Sequence, residues 1–330
     1  MDSYPLKIRK EFHSNASQKA SVIAFPDCED VRVLHAVSII SKENIATPIL
    51  VGNANILNEI AEKNDIDING IKIVNPIEQS EIHSYGATFF DLRKTKGMTE
   101  ELAFQTMKNP LFYAGMMLRK GAVTSVVAGA KSSTGDVLRA AIQTVGLAPS
   151  TTIVSSYFVM ILASSVVLFS DCGVVPDPNS QELVSIASST VENFKRLFPN
   201  EVPKVAFLSF STKGSATSDS VVKVQEAFEL FHQKHPNVLA DGELQFDAAF
   251  VPEIAKSKAK NSPMAGEANI FIFPNLDAGN IAYKIAQRIG SATAIGPIIQ
   301  GLNKPYCDLS RGCSVDDIID VASISSLLSS

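Results

Sequence analysis

From Val145 to Ser170 the chain carries no charged side chain, and the centre of this stretch reads IVSSYFVMILASSVVLF. A run of that kind has to be hidden in lipid or in a protein core, so it decides the class of molecule. Pro149, the scattered serines and the many β-branched and aromatic residues disfavour a single membrane helix. The turn-like Asp171-Cys172-Gly173 that follows points the same way. The run therefore reads as two buried strands, Ile153–Leu162 and Ser165–Ser170, with no membrane partner.

On both sides, short apolar segments alternate with stretches of helical spacing. Before the run come strand-like Ser21–Pro26, Pro48–Gly52, Ile71–Asn75 and Val123–Gly129. Helical spacing falls at Val31–Ser41, Ala54–Lys63, Thr99–Lys120 (broken near Pro110) and Gly135–Val145. After the run, helices are expected over Ser180–Phe198, Asp219–His235, Ala278–Ile289 and Val315–Leu327. Strands are expected at Lys204–Ser209, Leu244–Phe250 and Ala268–Pro274. Such alternation predicts an α/β fold with mostly parallel sheets covered on both faces. With 330 residues, and roughly 150 per domain, about two domains are expected. The change of texture at Gly146–Pro149 marks their boundary.

Composition removes several function classes. Charged residues make up 19% of the chain and hydrophobic ones 45%, which excludes disorder and a coiled coil. The net charge of −5 gives no bulk attraction for nucleic acid. Cys28, Cys172, Cys307 and Cys313 form no CxxC, so neither a zinc ribbon nor a redox dithiol is signalled. They read as buried, reduced thiols of a cytoplasmic protein. The N-terminal MDSYPLKIRKEF has no apolar segment, so no secretory signal is expected.

Three loops could carry chemistry. Gly129-Ala130-Lys131-Ser132-Ser133-Thr134-Gly135-Asp136 joins a strand to a helix, with Arg139 close behind. Free amides and the positive helix end make such a loop an anion site, or simply a capped turn. Asp308-Leu309-Ser310-Arg311-Gly312-Cys313-Ser314 precedes the last helix and offers a hydroxyl and a planar guanidinium fork. Ser314 and Asp317 have capping-box spacing, which would make Asp317 a partner of its own backbone. Asp91-Leu92-Arg93-Lys94-Thr95-Lys96 is a solvated basic face or a phosphate contact. Asp241, Glu243 and Asp247 invite a metal, with Glu243 and Asp247 on one strand face, but strand spacing alone defines no metal geometry and none is expected. The five histidines include no HxxxH, and no Ser-His-Asp triad is legible.

Taken together, the segments FPDCEDVR (Phe25–Arg32), KTKGMT (Lys94–Thr99) and GAKSSTGDVLRAAIQTVG (Gly129–Gly146) become familiar. So do SSYFVM (Ser155–Met160), DCGVVPDP (Asp171–Pro178), KVAFLSFSTKGSA (Lys204–Ala216) and DGELQFDAA (Asp241–Ala249). ANIFIFPNLDAGNIAYKIAQR (Ala268–Arg288), IGPIIQG and DLSRGCSVDDI (Asp308–Ile318) complete the series. In order and spacing the chain resembles the phosphotransacetylase (phosphate acetyltransferase) family, departing from it at Asp27-Cys28, where the family has Glu-Gly.

The resemblance implies two α/β domains of isocitrate/isopropylmalate dehydrogenase-like architecture with a cleft between them. Residues 1–150 plus 303–330 would form the first, and 151–302 the second, dimerising one. It implies a cytoplasmic homodimer that moves acetyl reversibly between acetyl phosphate and coenzyme A, with inorganic phosphate as the other product. Coenzyme A would be a substrate, and no cofactor or metal would be needed. By motif, Asp317 would be the base for the thiol, Ser310 would hydrogen-bond at the reacting centre, and Arg311 would hold the phosphate. Arg139, Arg93, Ser132, Ser133 and Thr134 would bind substrate. Two other readings stay open: a phosphate butyryltransferase-like enzyme for longer acyl groups, and a non-catalytic acyl-CoA-binding module.

Overall fold

The computed structural model describes residues 2–149 and 151–329. The chain divides into two compact units, Arg9–Pro149 with Leu302–Ser330, and Met1–Ile8 with Ser150–Gly301. By their contacts residues 2–8 group with the second unit, although the chain places them beside the first.

Along the chain run α1 (Tyr4–Ser17), β1 (Val22–Phe25), α2 (Val31–Lys42), β2 (Thr47–Val51), α3 (Ala54–Lys63) and β3 (Lys72–Val74). Then come α4 (Glu81–Arg93), α5 (Glu100–Met107), α6 (Pro110–Lys120), β4 (Ser125–Ala128) and α7 (Thr134–Thr144). The second unit supplies β5 (Ser155–Ile161), β6 (Val166–Ser170), α8 (Ser180–Leu197), β7 (Lys204–Leu208), α9 (Asp219–Lys234) and β8 (Leu239–Leu244). It ends with α10 (Phe246–Phe250), α11 (Pro252–Lys258), β9 (Ile270–Ile272), α12 (Leu276–Arg288) and β10 (Thr293–Gln300). The chain closes with β11 (Tyr306–Asp308) and α13 (Val315–Leu328).

Most helices of the first unit begin where a short polar side chain can accept from orphan amides. Asp30, Asn53, Thr99, Asn109 and Ser133 cap α2, α3, α5, α6 and α7 in this way. Pro110 opens α6 because the first helical position needs no N–H donor, so the break expected there is a second helix start. The sheet of this unit is entirely parallel, in the order β11-β4-β1-β2-β3. Phe89, Met107, Tyr113, Met116, Leu118, Val126, Val137 and Tyr306 belong to the core on one side of it. The first and last helices are joined by Asp320, which accepts from Arg9 Nε at 2.7 Å and meets His13 Nε2 at 2.8 Å.

The second unit carries a mixed sheet, β10-β5-β6-β9-β7-β8. β10 with β5 and β5 with β6 are antiparallel, and the remaining pairs are parallel. The charge-free run is the β5–β6 hairpin, and every residue of β5 is buried. Among the described residues no helix is long and apolar enough to cross a membrane.

One expectation fails here. Leu244–Phe250 is not a strand: β8 ends at Leu244, and Phe246–Phe250 turns into α10. Phe246 and Phe250, four residues apart, stack at 5.4 Å as a helical face, and both rings pack on Phe271. Asp247 consequently leaves the strand face of Glu243 and binds Lys258 at 2.8 Å. Glu243 instead accepts from Ser211 Oγ, the Gly214 amide and Gln225 Nε2. Burial raises its pKa, but these bonds more than offset it and hold the carboxylate low. Among the described residues no three His, Cys, Asp or Glu side chains converge as a metal site.

Candidate active site

In the first sheet the order of connection reverses between β1 and β4, and open α/β sheets bind ligands outside the carboxyl ends of strands at such a point. The loops leaving β1, β4 and β11 are Pro26–Asp30, Gly129–Ser133 and Leu309–Ser314, the last two being the anion loops of the sequence. They come very close. A Cβ on Gly129, whose φ is +102°, would lie 2.2 Å from Asp308 Oδ1 and 2.5 Å from the Leu309 amide nitrogen, so glycine is required there.

The amides of the β4 loop already hold an anion, and it belongs to the protein. Asp27 Oδ2 accepts from the amides of Gly129, Lys131 and Ser132 at 2.7, 3.2 and 3.1 Å. Its Oδ1 accepts from the Ser132 hydroxyl at 2.6 Å. Asp27 is 6% exposed, so its charge is removed from water and satisfied by four donors. Ser133 caps α7 and donates to Asp136 Oδ2 at 2.7 Å. Thus Ser132 and Ser133 are committed internally.

Asp308 is the opposite case. It is fully buried at the end of β11, and among the described residues neither carboxylate oxygen makes a well-formed hydrogen bond. Burial carries its carboxyl up to about 7, against weaker pulls from the Thr134 hydroxyl and the Leu309 amide, with the Asp27 charge adding to the rise.

The β11 loop presents its side chains outward. Ser310 and Arg311 are exposed, and among the described residues Ser310 Oγ accepts only a long 3.3 Å bond from the Gly312 amide. Among the described residues the Arg311 guanidinium donates no hydrogen bond, yet its charge helps hold Asp136 below the usual carboxylate range, behind the Ser133 hydroxyl and Arg139. Arg139 pairs with Asp136 at 2.9 Å. The capping box is formed: Asp317 Oδ2 accepts from the Ser314 amide at 2.8 Å and from its hydroxyl at 2.9 Å, and Ser314 Oγ accepts from the Asp317 amide. Oδ1 of Asp317 has no such bond among the described residues. Arg93 closes α4, and its neighbour Lys94 pairs with Asp91.

Arg32 was not singled out by sequence, although it ends the motif Phe25–Arg32. Its guanidinium reaches the carbonyls of Ala130, Arg311 and Cys313 and both oxygens of Asp30. A cavity of about 290 Å³ beside Asp27 is lined by Cys28, Gly52, Asn109, Pro110, Lys131 and Ser132, among others. Cys28 lies in its wall, with its pKa pushed up to about 12 by burial. A larger cavity of about 470 Å³ opens between α4 and α5, lined by His83, Phe90, Asp91, Glu100 and Phe104.

Comparison with known proteins gives these residues a context. A family described as phosphate acetyl/butaryl transferase matches residues 7–326. A phosphate acetyltransferase of Acetivibrio thermocellus is 45% identical over 318 residues, covering 94% of this chain and 95% of that protein. The solved structure of a EutD phosphotransacetylase from Staphylococcus aureus superposes with a TM-score of 0.92 at 38% identity, over 100% of both chains. A 4-hydroxythreonine-4-phosphate dehydrogenase from Burkholderia phymatum shares the fold alone, with a TM-score of 0.55 at 10% identity over 93% of this chain and 98% of that one.

Proposed function

The chain belongs to the phosphate acetyl/butaryl transferase family, and from that premise we propose that it is a phosphate acetyltransferase, moving acetyl reversibly between acetyl phosphate and coenzyme A. The observation that carries this reading is the exposed Ser310–Arg311 pair at the carboxyl end of β11, beside a β4 loop that is already filled. A guanidinium that donates no hydrogen bond among the described residues is available at that point to an anionic substrate.

In the direction of thioester formation, the thiol proton passes to Asp317 as the sulfur–carbon bond forms. The carbon–oxygen bond to phosphate then breaks, and inorganic phosphate leaves. A thiol with pKa about 8.5 is mostly protonated at neutral pH, so a positioned base raises the attacking fraction. Asp317 keeps its capping bonds through Oδ2, which leaves Oδ1 for this task. Arg311 offers its fork to the phosphoryl oxygens, and Ser310 donates to the reacting carbonyl oxygen as negative charge develops. Arg139 shares this anion work with Arg311, and Arg93 contacts a phosphate of coenzyme A. Ser132, Ser133 and Thr134 contribute by shaping the loop, since the first two have internal partners. Most of the rate gain comes from holding two anionic substrates in attacking geometry. Coenzyme A enters as a substrate, and the reading requires no resident cofactor. A cytoplasmic homodimer that pairs through the second unit and works in acetate metabolism completes it.

The test is arsenate-dependent loss of acetyl-coenzyme A with the purified chain, because acyl arsenates hydrolyse and expose reversible phosphorolysis. No arsenolysis would overturn the reading. Rates with acetyl, propionyl and butyryl phosphate separate it from a longer-chain acyltransferase, and turnover of butyryl phosphate equal to that of acetyl phosphate would favour the latter.

A further inference from the structure

An arginine beside a site for anions is by default a substrate ligand. Arg32 is not one, and donor arithmetic says why. A guanidinium has five N–H groups. Nε donates to Asp30 Oδ1 at 3.0 Å. Nη1 donates to the carbonyls of Arg311 and Cys313 at 2.9 and 2.7 Å. Nη2 donates to Asp30 Oδ2 at 2.7 Å and to the Ala130 carbonyl at 3.0 Å. All five donors are taken.

We propose that Arg32 is a positioning residue for acetyl transfer, which fixes the Ser310–Arg311 loop against the β4 loop and touches no substrate. The inference rests on the function proposed above. Three features of the geometry support it. The pinned carbonyls of Arg311 and Cys313 lie on either side of Gly312, the one residue of that loop without a side chain to restrict it, so the clamp removes backbone freedom where the chain has most. The Cys313 carbonyl also adjoins Ser314, the cap of α13, so the same contacts fix the helix that carries Asp317. Finally, the clamp turns three carbonyl dipoles towards a cation, whereas carbonyls turned towards a phosphate would repel it. Asp30 holds the guanidinium plane from the far side and is itself anchored, accepting from the Arg32 amide as the cap of α2.

Lysine cannot replace this residue, because an ammonium offers three donors from one point where five in a planar fork are used. The experiment compares Arg32→Lys and Arg32→Ala with the wild-type chain in three readouts. In steady-state kinetics kcat is expected to fall about 10–100-fold, as for a site displaced by an ångström or so. The KM for acetyl phosphate and inhibition by inorganic phosphate should change much less than kcat, because Arg32 makes no ground-state contact of its own and acts only through the Arg311 loop. In hydrogen–deuterium exchange, amides of residues 309–314 should open faster while those of β2 and β3 keep their protection. Added guanidinium should restore part of the activity of Arg32→Ala, which a variant that merely fails to fold would not show.

A rise in KM for acetyl phosphate with kcat preserved would make Arg32 a substrate ligand and overturn the inference. Unchanged kcat together with unchanged exchange in 309–314 would overturn it as well. If the wild-type chain showed no transfer activity, the functional reading would fall, and exchange in 309–314 would still decide whether Arg32 holds the loop.

Discussion

The loops after β4 and β11 look alike in sequence. Each follows a buried strand, each contains glycine and hydroxyl residues, and each leads into a capped helix. Their states differ. The β4 loop is closed around Asp27, whose two oxygens take four of its donors, while the β11 loop leaves Ser310 and Arg311 facing outward. Loop chemistry alone therefore does not identify a substrate site. What matters is whether the protein supplies the counter-anion itself.

The comparison breaks most directly through activity. Arg311→Ala and Ser310→Ala should each lose at least about 100-fold in kcat, the scale of removing a donor aimed at developing charge. Ser132→Ala should lose far less, and equal losses in a side-by-side assay would mean that the two loops share the work. Next in size is Asp27→Asn. An amide cannot accept from all four donors and turns its own N–H groups on some of them, so urea unfolding should show a loss of about 3 kcal/mol. An unchanged midpoint would show that the β4 loop does not need its internal anion.

Asp308 sharpens the contrast between two buried acids, one saturated and one unsatisfied. Its folded pKa of about 7 lies above its ordinary value of 3.8, so the folded state binds the extra proton between those limits. Its contribution to stability is complete below pH 3.8 and is lost as pH rises through about 7. Asp308→Asn, neutral throughout, should gain on the wild type by about 2–3 kcal/mol between pH 5 and pH 8. Melting curves at the two pH values check this, and parallel shifts would refute it. On stability, the smallest effect concerns Asp317. If it acts only as a cap, Asp317→Asn and Asp317→Ser should cost about 1 kcal/mol or less and keep full activity. If it is also the base, kcat should fall while stability changes by that same small amount.

Much of the fold was legible because burial and period coincide in it. The two strands read into the charge-free run are β5 and β6, and Ser133, Asp30 and Asn109 stand where caps belong. The misses have physical reasons. LQFDAAF alternates like a strand until Phe246, where the two phenylalanines find partners only by turning helical. β11 has just three residues and gains its identity by pairing with β4 across a long insertion, which no local pattern records. α1 is polar along most of its length and is anchored through Arg9 and His13 to Asp320. The loops of the site were readable as anion-ready, but the sequence showed neither that Asp27 occupies one of them nor that Arg32 ties them together. Both facts depend on side chains brought together from about a hundred residues or more apart in the chain.

The pairing of β4 with β11 also sets a timetable. At about 5–20 residues per second, a ribosome needs roughly 10–35 s to pass from Ala128 to Tyr306. Until then the strand that pairs with the outer edge of β4 does not exist, so any sheet formed earlier has four strands and ends at β4. A nascent chain halted anywhere in the second unit could carry the β4 loop with Asp27 in place, and it would still lack Ser310, Arg311 and Asp317. The proposed Ser310–Arg311 site can therefore assemble only after β11 has been made and has completed the first sheet.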